Sequence, residues 1–183
     1  YNSSVTYALK SAALAEQSTD SSLIKLLPKI YSNISGALTG ENQFEKAIVY
    51  SKKALQFTNY PDEQRYRIIL HQSIADAYVN LKQLAAAKPY LDTAVLLTGK
   101  FNNGIIKLLM FSTEGNYYDQ AREYKKALAA YHMAYQYADS NNNTYLKAEA
   151  ANNLAAIYYK QKNYSEATLY ATEANRIALS VNH

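Results

Sequence analysis

Three histidines, fifteen carboxylates and no cysteine are the raw material for chemistry in these 183 residues. A helical metal site needs ligands three or four positions apart, and neither His71, His132 nor His183 has a histidine or carboxylate at that spacing. Without cysteine, thiolate catalysis, disulfides and zinc–sulfur sites are all excluded. No glycine-rich loop stands ready to cradle a phosphate, and the Asn-Asn-Gly at 102–104 reads as a turn that starts a helix. The Asn-x-Ser/Thr triplets at Asn2, Asn33, Asn142 and Asn163 occur at the background frequency of an asparagine-rich chain. The chain is expected to be no enzyme and to need no metal and no cofactor.

Composition narrows the partners. The net charge of +4 is mild, and the doublets Lys52-Lys53 and Lys125-Lys126 are too short for a nucleic-acid stripe. No apolar run is long enough to span a bilayer, so no nucleic-acid and no membrane contact is expected of this segment. A 49% apolar content with 19% charged residues predicts a packed core. Nineteen tyrosines against four phenylalanines and no tryptophan suit half-buried helix seams, where an apolar ring needs a polar tip. The lack of cysteine fits an extracytoplasmic (periplasmic) setting as well as any other, and that setting is the expectation.

The elements that position these side chains recur every forty residues. The stretches FEKAIVYSKKAL (44–55), LAAAKPYLDTAV (84–95), YKKALAAYHMAY (124–135) and YSEATLYATEAN (164–175) align on Ala47, Ala87, Ala127 and Ala167. Seven residues on stand Ala54, Ala94, Ala134 and Ala174, and three before each anchor comes Phe44, Leu84, Tyr124 or Tyr164. Twelve before it comes a small residue, Ser35, Ala75, Gly115 or Ala155, and nine before it Leu38, Tyr78, Tyr118 or Tyr158. Small residues opposite alanines let two helices approach closely, ridges in grooves. Each unit therefore reads as a helical hairpin. First helices are expected near 22–39, 62–80, 103–120 and 143–160, and second helices near 44–58, 84–98, 124–139 and 164–180.

Start signals agree with this frame: Asp20-Ser21, Pro61-Asp62-Glu63, Asn102-Asn103 and the run DSNNNT at 139–144. Pro28 and Pro89 fall inside expected helices and predict a kink or a local helix start. His71 falls in a column of large packing residues, which predicts a seam histidine rather than a ligand.

These columns resemble the tetratricopeptide repeat: small residue at position eight, aromatic at eleven and seventeen, alanine at twenty and twenty-seven. The resemblance implies an all-α, right-handed α-solenoid of antiparallel helical hairpins. On that reading 1–183 is one array, with 1–18 the second helix of a truncated repeat and units at 22–60, 61–100, 101–140 and 141–181. The period exceeds the family's usual thirty-four, and long-period arrays of this kind resemble those of bacterial sensor histidine kinases.

In this family the first helices line a concave face through positions two, five, nine, twelve and thirteen. The resemblance carries that face onto Lys29, Ser32 and Gly36 in the first unit, and onto Ile69, Gln72, Asp76, Val79 and Asn80 in the second. In the third it falls on Leu109, Ser112, Asn116, Asp119 and Gln120, and in the fourth on Glu149, Asn152, Ala156, Tyr159 and Lys160. Of these, Lys29, Ser32, Gln72, Asp76, Asn80, Ser112, Asn116, Asp119, Asn152, Tyr159 and Lys160 are the expected binding residues. Short hydrogen-bonding side chains on rigid helices suit the backbone of an extended protein or peptide partner.

The lysine–asparagine clamp of repeats that grip chaperone C-terminal carboxylates is missing. Ser32 and Gly36 stand in its place, with Ser73 at position six of the next unit, so a free carboxylate finds no cluster of cations.

The last expected helix still carries apolar Leu169, Ile177 and Val181, and nothing polar caps it. That pattern predicts an excised piece of a longer array, or a homo-oligomer through the uncapped ends. The functional expectation is a protein- or peptide-binding module of a bacterial signalling protein, a two-component histidine kinase. The alternatives are a free-standing adaptor or scaffold with a constitutive protein partner, and a regulatory appendage of another enzyme.

Overall fold

The computed structural model describes residues 3–58, 64–101 and 103–181. Among the described residues the only regular elements are ten helices. They group into two compact units, residues 1–101 and 102–183. That division falls at the seam between the second and third forty-residue units, inside what the repeat alone predicts as one array.

The first unit holds α1 (Ser3–Glu16), α2 (Ser21–Ile24), α3 (Leu27–Gly40), α4 (Phe44–Leu55), α5 (Gln64–Asn80) and α6 (Leu84–Thr98). The Asp20 carboxylate accepts from the Ser22 amide at 2.8 Å and starts α2. Pro28 sits in the first turn of α3, where its missing N–H costs nothing, so the expected first helix 22–39 is split into α2 and α3 by a local start. Pro89 does otherwise, since α6 runs through it as one helix and no new start occurs there. Helices α3/α4 and α5/α6 pack as hairpins, α5 also packs on α4, and α1 packs on α3. The core joins Val5, Ala12 and Ala15 of α1 to Leu27, Tyr31, Ile34 and Leu38 of α3, with Ala47 and Ala54 of α4. The start signal Pro61-Asp62-Glu63 lies outside the described residues.

The second unit holds α7 (Gly104–Gln120), α8 (Tyr124–Ser140), α9 (Thr144–Lys160) and α10 (Tyr164–Val181). Asn103 and Asn143 cap α7 and α9, each side-chain oxygen accepting from the amide three residues on (Ile106, 3.1 Å; Leu146, 3.0 Å). Hairpins α7/α8 and α9/α10 pack internally, and α9 packs on α8. Leu154 and Ile157 of α9 are buried with Ala127 and Tyr131 of α8.

The alanine columns do what their spacing predicts. Ala47, Ala87, Ala127 and Ala167 are all buried, as are Ala54, Ala94, Ala134 and Ala174. Each hairpin turn closes with the same two bonds, an amide reaching back five residues and its predecessor reaching back three. In the second hairpin these are Gln83 to Tyr78 (2.9 Å) and Lys82 to Val79 (2.9 Å). That closure forces a positive φ at Asn42, Lys82, Arg122 and Lys162, and the same pair of bonds sets one at Asn142 between α8 and α9. A left-handed residue with a Cβ costs roughly 1–2 kcal/mol, least for asparagine. No glycine stands at these positions to relieve it.

Candidate interaction surface

Four places on a first helix carry the expected binding residues, and the structure treats each differently. On α3, Lys29 is exposed and Ser32 half-buried. On α5, Gln72, Asp76 and Asn80 follow one another at four-residue steps, which is one helix face. Asn80 donates to the Asp76 carbonyl at 2.9 Å and to its carboxylate at 3.3 Å, so the two form one polar unit at the end of the helix. Val79, carried onto the same face by the family positions, is buried instead. It sits one position off the row and turns into the core.

On α7, Ser112, Asn116 and Asp119 are half-buried in a row. The Tyr131 hydroxyl of α8 donates to the Asn116 side-chain oxygen at 2.7 Å. That bond fixes the amide and leaves its NH2 as the donor available to a partner. On α9, Asn152, Tyr159 and Lys160 are exposed. Lys160 reaches back to α7 and donates to both carboxylate oxygens of Asp119, at 2.6 and 2.7 Å. The structure thus joins Asp119 and Lys160, which the family positions give only as separate members. Their pairing spends the one cation and one anion of this row on each other.

The residues that drew attention as chemistry prove to be seam residues. His132 meets the Tyr158 hydroxyl at 3.1 Å and stands edge-on to Tyr170, with ring centroids 5.6 Å apart. Burial lowers its pKa, with Glu166 opposing. His71 packs on the Tyr90 ring at 5.8 Å. Burial lowers its pKa too, and the nearby Arg67 adds to the effect. Its Nδ1 is buried with no hydrogen-bond partner, so the satisfied seam histidine expected there is a seam residue with one orphan nitrogen. His183 and Asn2 lie outside the described residues. Among the described residues no cluster of potential metal ligands exists, and no helix is long and apolar enough to cross a membrane.

Two features escaped the sequence reading. Lys52 donates to the Tyr78 hydroxyl at 3.0 Å and lies over the Tyr78 and Tyr90 rings, eighty residues before the matching His132, Tyr158 and Tyr170. The bond to Tyr78 is the main cause of its raised pKa. The second feature is a pair of clefts on α9/α10, one around Glu149 and Asn152 and one beside Tyr159. Ala171, small where Leu91 and Tyr131 stand earlier, was the legible signal for the second.

With this geometry in hand, comparison with known proteins is direct. Residues 70–101 match the tetratricopeptide repeat model. The matched residues run from α5 through α6, one hairpin of the four. Comparison with curated proteins finds no match. Among solved structures, the chain is similar to a signal transduction ATPase with numerous domains from Pyrococcus horikoshii, described as carrying a tetratricopeptide repeat sensor. The identity is 22%, the TM-score 0.74, and the match covers 87% of this chain and 25% of that one. The chain thus spans about a quarter of that protein's length. It is also similar to BtubC from P. vanneervenii, at 14% identity and a TM-score of 0.62, over 97% of this chain and 91% of that one. A third likeness is to MamA from Desulfovibrio magneticus RS-1, from its residue 41 to its end. There the identity is 14% and the TM-score 0.60, over 98% and 97% of the two chains. At these identities the likeness is one of fold. The chain is an all-α assembly of helical hairpins that contains a tetratricopeptide repeat, a protein-interaction fold.

Proposed function

We propose that the chain is a non-catalytic module that holds extended segments of a partner protein on the polar rows of the first helices within each unit. The observation that carries this reading is the Ser112–Asn116–Asp119 row. Its central amide is held in place by Tyr131, so the row is ordered before any partner arrives. Gln72, Asp76 and Asn80 supply the same chemistry in the first unit. A peptide backbone offers one donor and one acceptor per residue, which such amides and carboxylates match.

On this proposal the module is the sensory or interaction region of a larger bacterial signalling protein of the histidine kinase kind, in an extracytoplasmic setting. The forty-residue period supports the reading, as does the likeness to a protein described as having a repeat sensor. Partner binding would bias the packing of successive hairpins, and small changes at several interfaces would add. A second reading, a free-standing scaffold with a constitutive partner, draws on the BtubC and MamA likenesses, which extend over nearly the whole of both chains.

The test is selection of peptides from a random display library on the whole chain, followed by the double substitution Asp76→Ala with Asn116→Ala. The expected outcome is loss of selected-peptide binding, about tenfold or more for two lost hydrogen bonds, one to a charged group. The far-ultraviolet spectrum should stay unchanged. A folded double variant that binds the selected peptides as tightly as before overturns the assignment.

A further inference from the structure

Eight residues before the small residue of a first helix stands a cation in three units, Arg67, Lys107 and Lys147, while Leu27 is buried in that column of α3. The column falls just before the family's first position, in the length that the forty-residue period adds. On α9, Lys147 is enclosed by partners. It donates to the Asp139 carboxylate at 2.7 Å, stands 3.9 Å from Glu173 and lies 5.1 Å from the centre of the Tyr135 ring. On α7, Lys107 lies over the Tyr137 ring at 5.8 Å. Arg67, exposed on α5, pairs with no carboxylate and lies over no ring among the described residues. Leu55 stands in the column of Tyr135 and Thr93 in that of Glu173, and in the sequence Asn59 stands in that of Asp139.

The surroundings are exchanged as well. Ala138 and Ala151 are buried at the α8/α9 junction, and their columns hold Thr58 and His71 at the α4/α5 junction. Leu55, Thr58, Arg67 and His71 line a cleft of about 300 Å³ there, inside the first unit. Arg67 and His71 stand about one turn apart on one face of α5. The buried Thr58 hydroxyl donates to the Leu55 carbonyl at 2.9 Å, which fixes the α4 wall of the cleft. The His71 ring packs on Tyr90, and its Nδ1 has no partner. One junction holds acids for its cation with alanines around them; the other holds a cation and an imidazole and no acid.

We propose that the α4/α5 cleft binds a carboxylate, whose two oxygens take the fork of the Arg67 guanidinium while the His71 ring supplies a second donor and Leu55 covers a short apolar stem. Asp139 and Glu173 provide internally, at the α8/α9 junction, what the ligand brings here. A single planar guanidinium matches two coplanar oxygens, whereas a doubly charged phosphate calls for a second fixed cation. A cleft of about 300 Å³ is at the lower end of ligand pockets, so a glutarate-sized group suits it. The same chemistry comes from a free organic acid or from a glutamate side chain of a bound protein. Burial and Arg67 both hold the His71 imidazole below its ordinary pKa. The other groups facing it are Tyr90 on α6 and, over that ring, Lys52 on α4. A bound carboxylate adds negative charge and favours the imidazolium, so binding tightens as pH falls through the His71 range.

The experiment titrates the whole chain with glutarate, at ionic strength held constant with chloride, and follows backbone amide and histidine ring shifts. Shifts are expected at Thr58, Arg67 and His71, with the His71 titration moving upward. Arg67→Gln, at an exposed position that leaves the fold intact, should weaken binding at least about tenfold. Thr93→Glu, which restores the acid of the matching junction, should abolish it. His71→Phe, after Phe111 in the same column, should weaken binding and remove its pH dependence. Asp76→Ala with Asn116→Ala should leave it unaltered, because the cleft uses none of the row residues. An acetylated glutamate amide that binds more tightly than glutarate assigns the site to a protein side chain, and the reverse order to a free acid. Absence of shifts, shifts elsewhere, or binding indifferent to both Arg67→Gln and Thr93→Glu overturns the proposal. Inorganic phosphate binding as tightly as glutarate overturns the carboxylate assignment. Binding seen only after Asp62→Asn or Glu63→Gln means that the chain's own acid fills the cleft, and overturns it too.

Discussion

The α7/α8 and α9/α10 hairpins share their turn and their alanine columns, yet one is filled and covered while the other is open. Both turns close with the same long-reaching amide bond, Glu123 to Tyr118 at 2.8 Å and Asn163 to Tyr158 at 2.9 Å. Ala127 and Ala134 are wholly buried, and Ala167 and Ala174 nearly so. The difference sits at three pairs of positions where the two helices of a hairpin cross: Tyr131 against Ala171, Asn116 against Ala156 and, within the small-residue column, Gly115 against Ala155. Alanine columns set the backbone of a hairpin, and the variable positions between them decide whether its crossing is filled, as the Tyr131 ring against Gly115 fills it, or left as a cleft. A tyrosine at one such position joins the two helices and orders a polar row, and an alanine leaves a cleft.

The comparison breaks most readily at Tyr131. Removing a buried aromatic ring costs about 3–5 kcal/mol where the site cannot collapse. Tyr131→Ala is therefore expected to lose that much in urea unfolding, a large part of the total stability of a typical domain. Gly115→Ala approaches the same contact from the other side. It forces the ring aside at a cost of about 1–3 kcal/mol, partly offset by the roughly 0.5–1 kcal/mol helix preference of alanine over glycine. The control is Ala171→Gly in the open hairpin, which should cost only that helix preference. Tyr131→Ala and Ala171→Gly of equal cost would mean the crossing is not filled as described.

How much of this was legible beforehand depends on the physical origin of each feature. The eight helices of the four hairpins follow from columns that repeat every forty residues, and such periodicity survives side-chain exchange. The break at Pro28 was legible because proline settles readily into a first helical turn, whereas the uninterrupted helix through Pro89 was not, because tertiary packing overrides one lost N–H. The positive φ at Lys82, Arg122 and Lys162 had no signal, since no glycine marks those positions. Of the expected binding residues, the helix-face rows could be placed by period alone. The Lys160–Asp119 bridge could not, because it joins residues forty-one apart through the packing of two hairpins. Nor could the burial of Val79, whose position on the face family spacing gives only to within one residue.

The shared turn offers a smaller and sharper test. Arg122 and Lys162 occupy equivalent left-handed positions, with φ of 59° and 61°. Replacing either with glycine removes the Cβ clash, for an expected gain of about 1 kcal/mol, less glycine's added entropy cost in the unfolded chain. If the two hairpins differ only at their crossings, Arg122→Gly and Lys162→Gly should raise the melting temperature by the same few degrees. A gain in one hairpin alone would show that the open crossing also loosens its turn.

The smallest expected effect lies where the same two hairpins meet, His132 of α8 against Tyr158 of α9 and Tyr170 of α10. Burial holds the folded His132 pKa below the ordinary 6.5, while Glu166 pulls the other way less strongly. The unfolded chain therefore takes up the proton first as pH falls. Stability that is complete above about 6.5 should decline below it, until the folded imidazole is protonated as well. His71 contributes in the same direction, through burial and the neighbouring Arg67. His132→Lys separates the two, because it installs the residue that Lys52 already supplies over Tyr78 and Tyr90, a group charged on both sides of that range. Melting curves across the imidazole range should show a shallower acid decline for this variant, with His71 accounting for what remains. An undiminished decline would place the acid sensitivity wholly in the first unit, and the hairpins of the second would then differ at their crossings alone.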